Sequence, residues 1–231
     1  MVEMVVADQK ILGILSLDTR FPRIVGDAGA SESYPFPCEI AVVDGAYSNA
    51  IVQDSPPSAD ILSAFIDAAR ELEATGVSAI VSTCGFLVTA QEEIAQAVNI
   101  PVMLSALSMF SATKLSCPGR IGILTASAAS LGQNVLHSAG ISMEEVAIVG
   151  LDKRPLFAKT FLSPKESQLT EFDRNEMESL VLEETEKLVS ENADISAIIL
   201  ECGNLPPYAH SIRRKTGKPV FSIIDGANWM M

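Results

Sequence analysis

Positive charge, cysteine and histidine are scarce in this sequence, and each scarcity excludes a class of function. The chain has 16 lysine and arginine residues against 29 acidic residues, so its formal net charge is −13. A chain this acidic repels nucleic acids and anionic lipids as a whole, and we expect neither a nucleic-acid nor a membrane partner. Four cysteines are too few for a disulfide-stapled secreted scaffold, and the two histidines are too far apart to form a local metal motif. We therefore expect no bound metal.

Several targeting and cofactor signals are also missing. No stretch approaches the roughly 18 continuous apolar residues of a membrane-spanning helix, and residues 1–10 lack the basic start of a signal peptide. The dinucleotide fingerprint, the phosphate-binding loop, the zinc-peptidase motif and the serine-hydrolase elbow are absent. These absences disfavour NAD-dependent, NTP-dependent, zinc-peptidase and serine-hydrolase activities. They predict a cytoplasmic protein with reduced thiols.

Short apolar runs alternate with longer helical patterns along the chain, which predicts parallel sheets covered by helices on both faces. The pattern lapses over residues 19–38, and a functional loop and a plain surface connection are both open there. The longest helix is expected over 164–191, with Ser163 as its N-cap. The strands are expected over 11–17, 39–43, 79–82, 101–104, 120–124, 146–149, 195–200 and 220–223, and the helices over 58–75, 88–98, 127–138, 164–191 and 206–215.

An internal repeat relates the two halves of the chain. Residues 78–85 resemble residues 196–203, and each segment is an apolar strand that closes on Cys-Gly. Cys84 and Cys202 are 118 residues apart, and a proline pair downstream has the same separation. Two shared separations at matched strand positions favour duplication over chance similarity.

The repeat predicts an α/β fold of two pseudo-symmetric lobes with a cleft between them. Each lobe would hold a parallel four-stranded sheet flanked by helices, the first over 1–115 and the second over 116–231, with 225–231 packing back on the first lobe. Ligands bind outside the carboxyl ends of parallel strands, where both repeated cysteines stand. We therefore expect Cys84 and Cys202 to face each other across the cleft.

Two facing thiols suit proton transfer at carbon. A cysteine titrates near enough to neutrality to take or give a proton, and a helix N-terminus lowers its pKa. One thiolate would remove a proton from a carbon atom while the opposite thiol delivers another. A regulatory disulfide between Cys84 and Cys202 is an alternative. Cys38 and Cys117 are expected to be small buried hydrophobic side chains.

The motifs Thr83-Cys84-Gly85 and Glu201-Cys202-Gly203, each closing a strand of a repeated half, resemble those of the aspartate/glutamate racemase superfamily. That superfamily includes glutamate, aspartate and hydantoin racemases, maleate isomerase and arylmalonate decarboxylase. The resemblance covers most of the chain. It implies an enzyme without a cofactor, Cys84 and Cys202 as the catalytic pair, a small carboxylate or hydantoin substrate, and a homodimer.

The resemblance also implies a set of substrate-binding residues. In the superfamily, polar residues after the first strand of each lobe help hold the substrate carboxylate, and residues after each cysteine supply hydrogen-bond donors. Arg20 lies just beyond the first strand, where a two-pronged carboxylate contact and a surface ion pair are both open. The full set is Ser16, Asp18, Arg20, Thr83, Gly85, Phe86, Thr125, Ser127, Gly203 and Asn204.

The sequence departs from glutamate racemases beside both cysteines. Those enzymes have Asn-Thr after the first cysteine and Thr-His after the second, whereas this chain has Gly-Phe and Gly-Asn. Phe86 would make the pocket more apolar, which favours hydantoins or another compound with an activated α-carbon over glutamate. We expect an amino-acid or hydantoin racemase or epimerase. A maleate-isomerase-like enzyme with a nucleophilic cysteine and a non-enzymatic, anion-binding redox sensor stay open as alternatives.

Overall fold

The computed structural model describes residues 10–231, and its strands form two parallel sheets of four strands each. The strands are β1 (Leu12–Leu17), β2 (Cys38–Val43), β3 (Ala79–Ser82), β4 (Val102–Met103), β5 (Arg120–Thr125), β6 (Val146–Gly150), β7 (Ile195–Leu200) and β8 (Val220–Phe221). The first sheet has the order β2-β1-β3-β4 and the second has the matching order β6-β5-β7-β8. The predicted fold of two similar α/β lobes is confirmed.

Helices connect the strands within each sheet. They are α1 (Ser48–Ile51), α2 (Ala59–Thr75), α3 (Gln91–Gln96), α4 (Phe110–Ser116), α5 (Gln133–Ser138), α6 (Pro155–Phe157), α7 (Arg174–Glu191), α8 (Ala209–Thr216) and α9 (Ile223–Met230). Short 3-10 turns cover Ser31–Ser33, Gly85–Ala90, Ala106–Met109, Met143–Glu145, Lys165–Ser167 and Pro206–Tyr208, and a π-helical turn covers Ala158–Leu162.

Helix α2 begins and ends where the sequence predicts. The Ser58 hydroxyl accepts from the backbone N–H of Ile61, and Gly76 ends the helix with a left-handed φ of 92°. α3 and α5 are shorter than expected because their first turns take other conformations. Residues 85–90 form the 3-10 helix, and the Ser127 hydroxyl accepts from the backbone N–H of Ser130 in a local turn.

The longest helix, α7, begins ten residues later than the expected 164–191, and the prediction of Ser163 as its N-cap is wrong. Asp173 caps it instead, accepting from the backbone N–H groups of Asn175 and Glu176. The segment before it is held by a tertiary contact. Gln168 is buried, and its Oε1 accepts from the backbone N–H of Arg20 at 2.8 Å. This contact with the loop after β1 competes with helix formation.

The register of the sheets brings the two Cys-Gly segments to equivalent places. Leu15 of β1 pairs with Ser82 of β3, and Leu124 of β5 pairs with Leu200 of β7. One residue further on, the Thr83 N–H donates to the Leu15 carbonyl and the Glu201 N–H donates to the Leu124 carbonyl. Each cysteine is therefore the second residue past its ladder.

The two lobes touch through the glycines that follow the cysteines. A Cβ atom on Gly85 would lie 2.3 Å from the carbonyl oxygen of Glu201, and one on Gly203 would lie 2.3 Å from the carbonyl oxygen of Thr83. Both distances are far too short for a side chain. The strand ends can cross this closely only because each carries a glycine.

Helix α9 packs on the first sheet. Ile223 and Ala227 are buried against Leu12, Ile14 and Met103. The chain thus returns from the second lobe to the first at its C-terminal end. Within residues 10–231, none of the helices combines the length and the apolar character needed to cross a bilayer.

Candidate active site

A small cavity of about 20 Å³ lies between the lobes at the carboxyl ends of the central strands. Both cysteines of the repeat line it, together with four of the residues predicted to bind substrate. These predicted residues are Thr83, Cys84, Gly85, Phe86, Cys202 and Asn204. The remaining lining residues are Leu17, Phe21, Arg23, Ser48, Val52, Ala126, Phe161, Leu162 and Glu201.

Three predicted binding residues near β1 lie outside this lining. Ser16 is buried, and its hydroxyl donates to the backbone carbonyl of the next residue. Asp18 pairs with Lys165 at 2.5 Å. Arg20 is exposed. The arginine that lines the cavity is Arg23, which follows Arg20 in the same loop.

Three predicted residues of the second lobe support the site from behind the lining. Thr125 is fully buried, and its hydroxyl donates to Glu201 at 2.7 Å. Ser127 bonds to Ser130 in the turn after β5. Gly203 lies where the two strand ends cross, and its carbonyl accepts from the loop that follows β1.

Burial and a neighbouring carboxylate favour the protonated form of the Cys84 thiol, and three weaker influences favour its thiolate. Burial raises its pKa to about 12, and the Glu201 carboxylate adds to the rise. Three groups act in the opposite direction, namely the backbone N–H groups of Phe86 and Leu87 and the guanidinium of Arg23. These three influences are weaker than burial, so the pKa of the Cys84 thiol stays above its ordinary value.

The Cys202 thiol lies among groups that favour its protonated form. Its Sγ donates to Asn204 Oδ1 at 3.5 Å. Asn204 Nδ2 donates in turn to the Asp27 carboxylate at 2.7 Å, which fixes the amide oxygen toward the thiol. Burial, Glu201, Cys84 and Asp27 all raise the pKa of Cys202, against one backbone N–H that lowers it. The two repeated cysteines thus have unlike surroundings.

Glu201 is a buried carboxyl beside both cysteines, and only 2% of it is exposed. Its Oε2 accepts from Thr125, whereas its Oε1 has no hydrogen-bond partner among the described residues. Oε1 lies close to Gly85, at 2.4 Å from where a Cβ atom there would stand. Burial raises the pKa of Glu201 to about 7, although the Thr125 hydroxyl and the Ala126 N–H lower it in part.

Aromatic rings form one wall of the cavity. Phe21 and Phe161 meet edge to face with ring centroids 4.8 Å apart, and Phe86 is 1% exposed. The guanidinium of Arg23 stands over the Phe21 ring at 4.7 Å and pairs with Asp27 at 3.0 Å. The cavity thus combines an aromatic wall with a charged guanidinium. Among the described residues, the His, Cys, Asp and Glu side chains form no group of three that could hold a metal ion.

The sequence analysis did not assign five residues that shape the site: Phe21, Arg23, Asp27, Phe161 and Glu201. The signal for Glu201 was present, since an acidic residue at the end of an apolar strand is unusual without a role. Arg23 and Asp27 were visible only as charges in a loop without periodicity. Nothing in the local pattern distinguishes Phe161 from a core residue.

Comparison with known proteins gives a family and two kinds of relative. The family model described as "Asp/Glu/Hydantoin racemase" matches residues 28–231. A dimethylsulfoniopropionate lyase of Durusdinium sp. clade D is 28% identical over 226 residues, which cover 95% of this chain and 73% of that protein. Dimethylsulfoniopropionate lyase 7 of Emiliania huxleyi is 28% identical over 240 residues, covering 98% and 67%.

Solved structures share the fold at lower identity. A glycine-to-cysteine variant of arylmalonate decarboxylase has a TM-score of 0.61 at 13% identity, covering 95% of this chain and 90% of the other. Allantoin racemase from Klebsiella pneumoniae has a TM-score of 0.59 at 19% identity, covering 92% and 83%. At such identities the likeness concerns the fold alone.

Proposed function

Because this chain belongs to the Asp/Glu/hydantoin racemase family of enzymes, we propose that it abstracts a proton from the carbon next to a carboxylate. We further propose that the reaction ends in elimination. The substrate would be a sulfonium carboxylate such as dimethylsulfoniopropionate, and the products a thioether and acrylate. Cys84 is the base in this scheme.

The unlike surroundings of the two cysteines carry the proposal. A racemase that works in both directions needs each thiol to serve in turn as base. Here two backbone N–H groups and the guanidinium of Arg23 lower the pKa of Cys84 against its burial, whereas Cys202 donates to an amide oxygen that Asp27 holds in place. This arrangement supports a base on one face only, which suits elimination better than inversion.

The charge of the substrate would prepare the base. In the empty cavity burial keeps Cys84 protonated. A bound sulfonium group adds positive charge in a poorly solvated space, and a nearby opposite charge favours the ionised thiol. Cys84 then releases its proton to bulk water when a cationic substrate enters, and the thiolate that remains is the base.

The reaction balances without a cofactor. The Cys84 thiolate takes the α-proton, and the electrons of that C–H bond form the carbon–carbon double bond. The carbon–sulfur bond breaks, and its electron pair leaves on sulfur as a neutral thioether. Arg23 stabilises the negative charge that develops on the carboxylate during this step, while Phe21 and Phe161 accommodate the methyl groups on sulfur. The relatives named dimethylsulfoniopropionate lyases support this choice of substrate.

Dimethylsulfoniopropionate and the purified protein test the proposal directly. We expect equal amounts of dimethyl sulfide, measured in the headspace by gas chromatography, and of acrylate, measured by proton NMR. Cys84→Ser should lose about 100-fold or more of the rate, because a hydroxyl is a far weaker base. Cys117→Ser is the matched control, since that cysteine is partly exposed and outside the cavity. A folded, reduced wild-type protein that releases no dimethyl sulfide refutes the lyase.

Racemisation is the second candidate, favoured by the presence of both cysteines on one cavity. Aspartate, glutamate and 5-substituted hydantoins would be incubated with the protein in D₂O and followed by proton NMR. Loss of the α-proton signal from both enantiomers, without any elimination product, would support a two-thiol racemase instead. Conversion of maleate to fumarate would support the isomerase.

A further inference from the structure

The Oε1 atom of Glu201 is a buried carboxyl oxygen without a hydrogen-bond partner among residues 10–231. The side chain is 2% exposed, it belongs to the cavity lining, and only Oε2 is hydrogen-bonded to a neighbouring side chain. An unpaired buried carboxyl oxygen is costly to the folded state. Such an atom therefore calls for a partner that the protein itself does not supply.

The cations nearest the cavity are committed to other acids. Arg23 is paired with Asp27, and its other terminal nitrogen contacts the Thr19 hydroxyl at 3.3 Å. Lys165 is paired with Asp18. Within residues 10–231, the ion pairs of the structure leave Glu201 out. A bound cation would supply the counter-charge that these residues do not give to an ionised Glu201.

The aromatic wall suits a cation that carries methyl groups. Such onium groups bind where aromatic faces and a carboxylate replace water. Phe157 and Phe172 pack edge to face against the Phe161 ring, with centroid distances of 4.8 and 5.7 Å, and fix its orientation in the wall. One face of Phe21 is already covered by Arg23.

We propose that Glu201 is the counter-ion of an onium subsite, so that the cavity selects zwitterions that carry a carboxylate at Arg23 and a sulfonium or quaternary ammonium group at Glu201. The proposal rests on the proposed function and defines its substrate class. A dicarboxylate such as aspartate or glutamate would instead bring its second carboxylate toward Glu201, and like charges repel. The subsite therefore selects against the usual substrates of amino-acid racemases.

Two unreactive ligands of the same shape test the subsite without turnover. 3-(Trimethylammonio)propionate carries the cation, and 4,4-dimethylpentanoate is its neutral carbon isostere. Isothermal titration calorimetry should find that the wild type binds the ammonium ligand at least about tenfold more tightly than the neutral isostere. The reason is that the attraction between the ammonium group and Glu201 is stronger in a poorly solvated site than in water. Glu201→Gln should abolish or reverse this preference.

The controls separate this inference from the lyase. Glu71→Gln, an exposed substitution on α2, should keep the wild-type preference. A wild-type protein that binds both ligands equally, or a Glu201→Gln variant that keeps the preference, overturns the subsite. If Glu201→Gln fails to fold, the wild-type ratio decides alone. If the protein prefers the ammonium ligand but releases no dimethyl sulfide, the lyase is refuted and the subsite stands. If it releases dimethyl sulfide without preferring the ammonium ligand, the subsite is refuted and the lyase stands.

Discussion

Replacing Glu201 with glutamine should stabilise the protein at pH 8 and leave its stability at pH 5 nearly unchanged. Burial raises the pKa of Glu201 from 4.5 to about 7. At about 1.4 kcal/mol per pKa unit, this difference corresponds to about 3 kcal/mol of unfolding free energy. Glutamine keeps the size of the side chain and can still accept from Thr125, but it carries no charge.

The sign follows from proton binding. Between pH 4.5 and 7 the folded protein holds a proton on Glu201 that the unfolded chain has released, so stability falls as the pH rises through this window. Below it both states are protonated. Above it the folded state bears the full cost of a buried charge. Glutamine removes that cost, and the two proteins should therefore diverge progressively between about pH 5 and pH 8.

Urea unfolding followed by far-UV circular dichroism measures the difference. Wild type, Glu201→Gln and Glu71→Gln would be unfolded at several pH values between 5 and 8. Glu71→Gln is the control because it removes one negative charge from an exposed position. Many other groups titrate as well, so the informative quantity is the difference between curves. If the curves of Glu201→Gln and wild type stay parallel over this range, Glu201 is ionised throughout and the reasoning is wrong.

Three further predictions concern the helix start, the lobe crossing and the thiols. Asp173→Ala should lower the unfolding free energy by about 1 kcal/mol through loss of the cap, and Ser163→Ala should change it little; the reverse order in urea unfolding would place the start of α7 earlier. Gly203→Ala should cost about 1–3 kcal/mol by overpacking against the opposite strand end, and an unchanged melting temperature in calorimetry would contradict the close crossing. At pH 8 iodoacetamide should alkylate partly exposed Cys117 before buried Cys84, which peptide mass mapping would detect. If Cys84 is labelled first, its pKa is lower than about 12.

The fold was predictable because it depends on features that repeat along the chain. The alternation of apolar runs with helical patterns identified the strands, and the common separation of 118 residues identified the second lobe as a copy of the first. The same separation placed Cys84 and Cys202 at equivalent strand ends. The start of α7 was not predictable, since it depends on Gln168 bonding to a loop 148 residues away.

The site was only partly predictable for a related reason. Local pattern locates the ends of strands, and the cavity residues found that way directly follow β3 and β7. Arg23 and Asp27 come from the long loop after β1, and Phe161 comes from the π-helical turn. Neither segment has a regular hydrophobic repeat that would predict which of its side chains face inward. Their place in the cavity is set by tertiary contacts such as the bond from Asn204 to Asp27.

The duplication also explains why the two thiols differ. The residues 118 positions apart are identical at the cysteine and at the glycine, and the close crossing of the strand ends requires the glycine. They diverge on either side, with Thr83 matched by Glu201 and Phe86 matched by Asn204. Glu201 introduces the buried carboxyl, and Asn204 introduces the amide that holds the second thiol protonated. In the proposed reaction, these two positions would turn a symmetric pair suited to inversion into an asymmetric pair suited to removing one proton from a charged substrate.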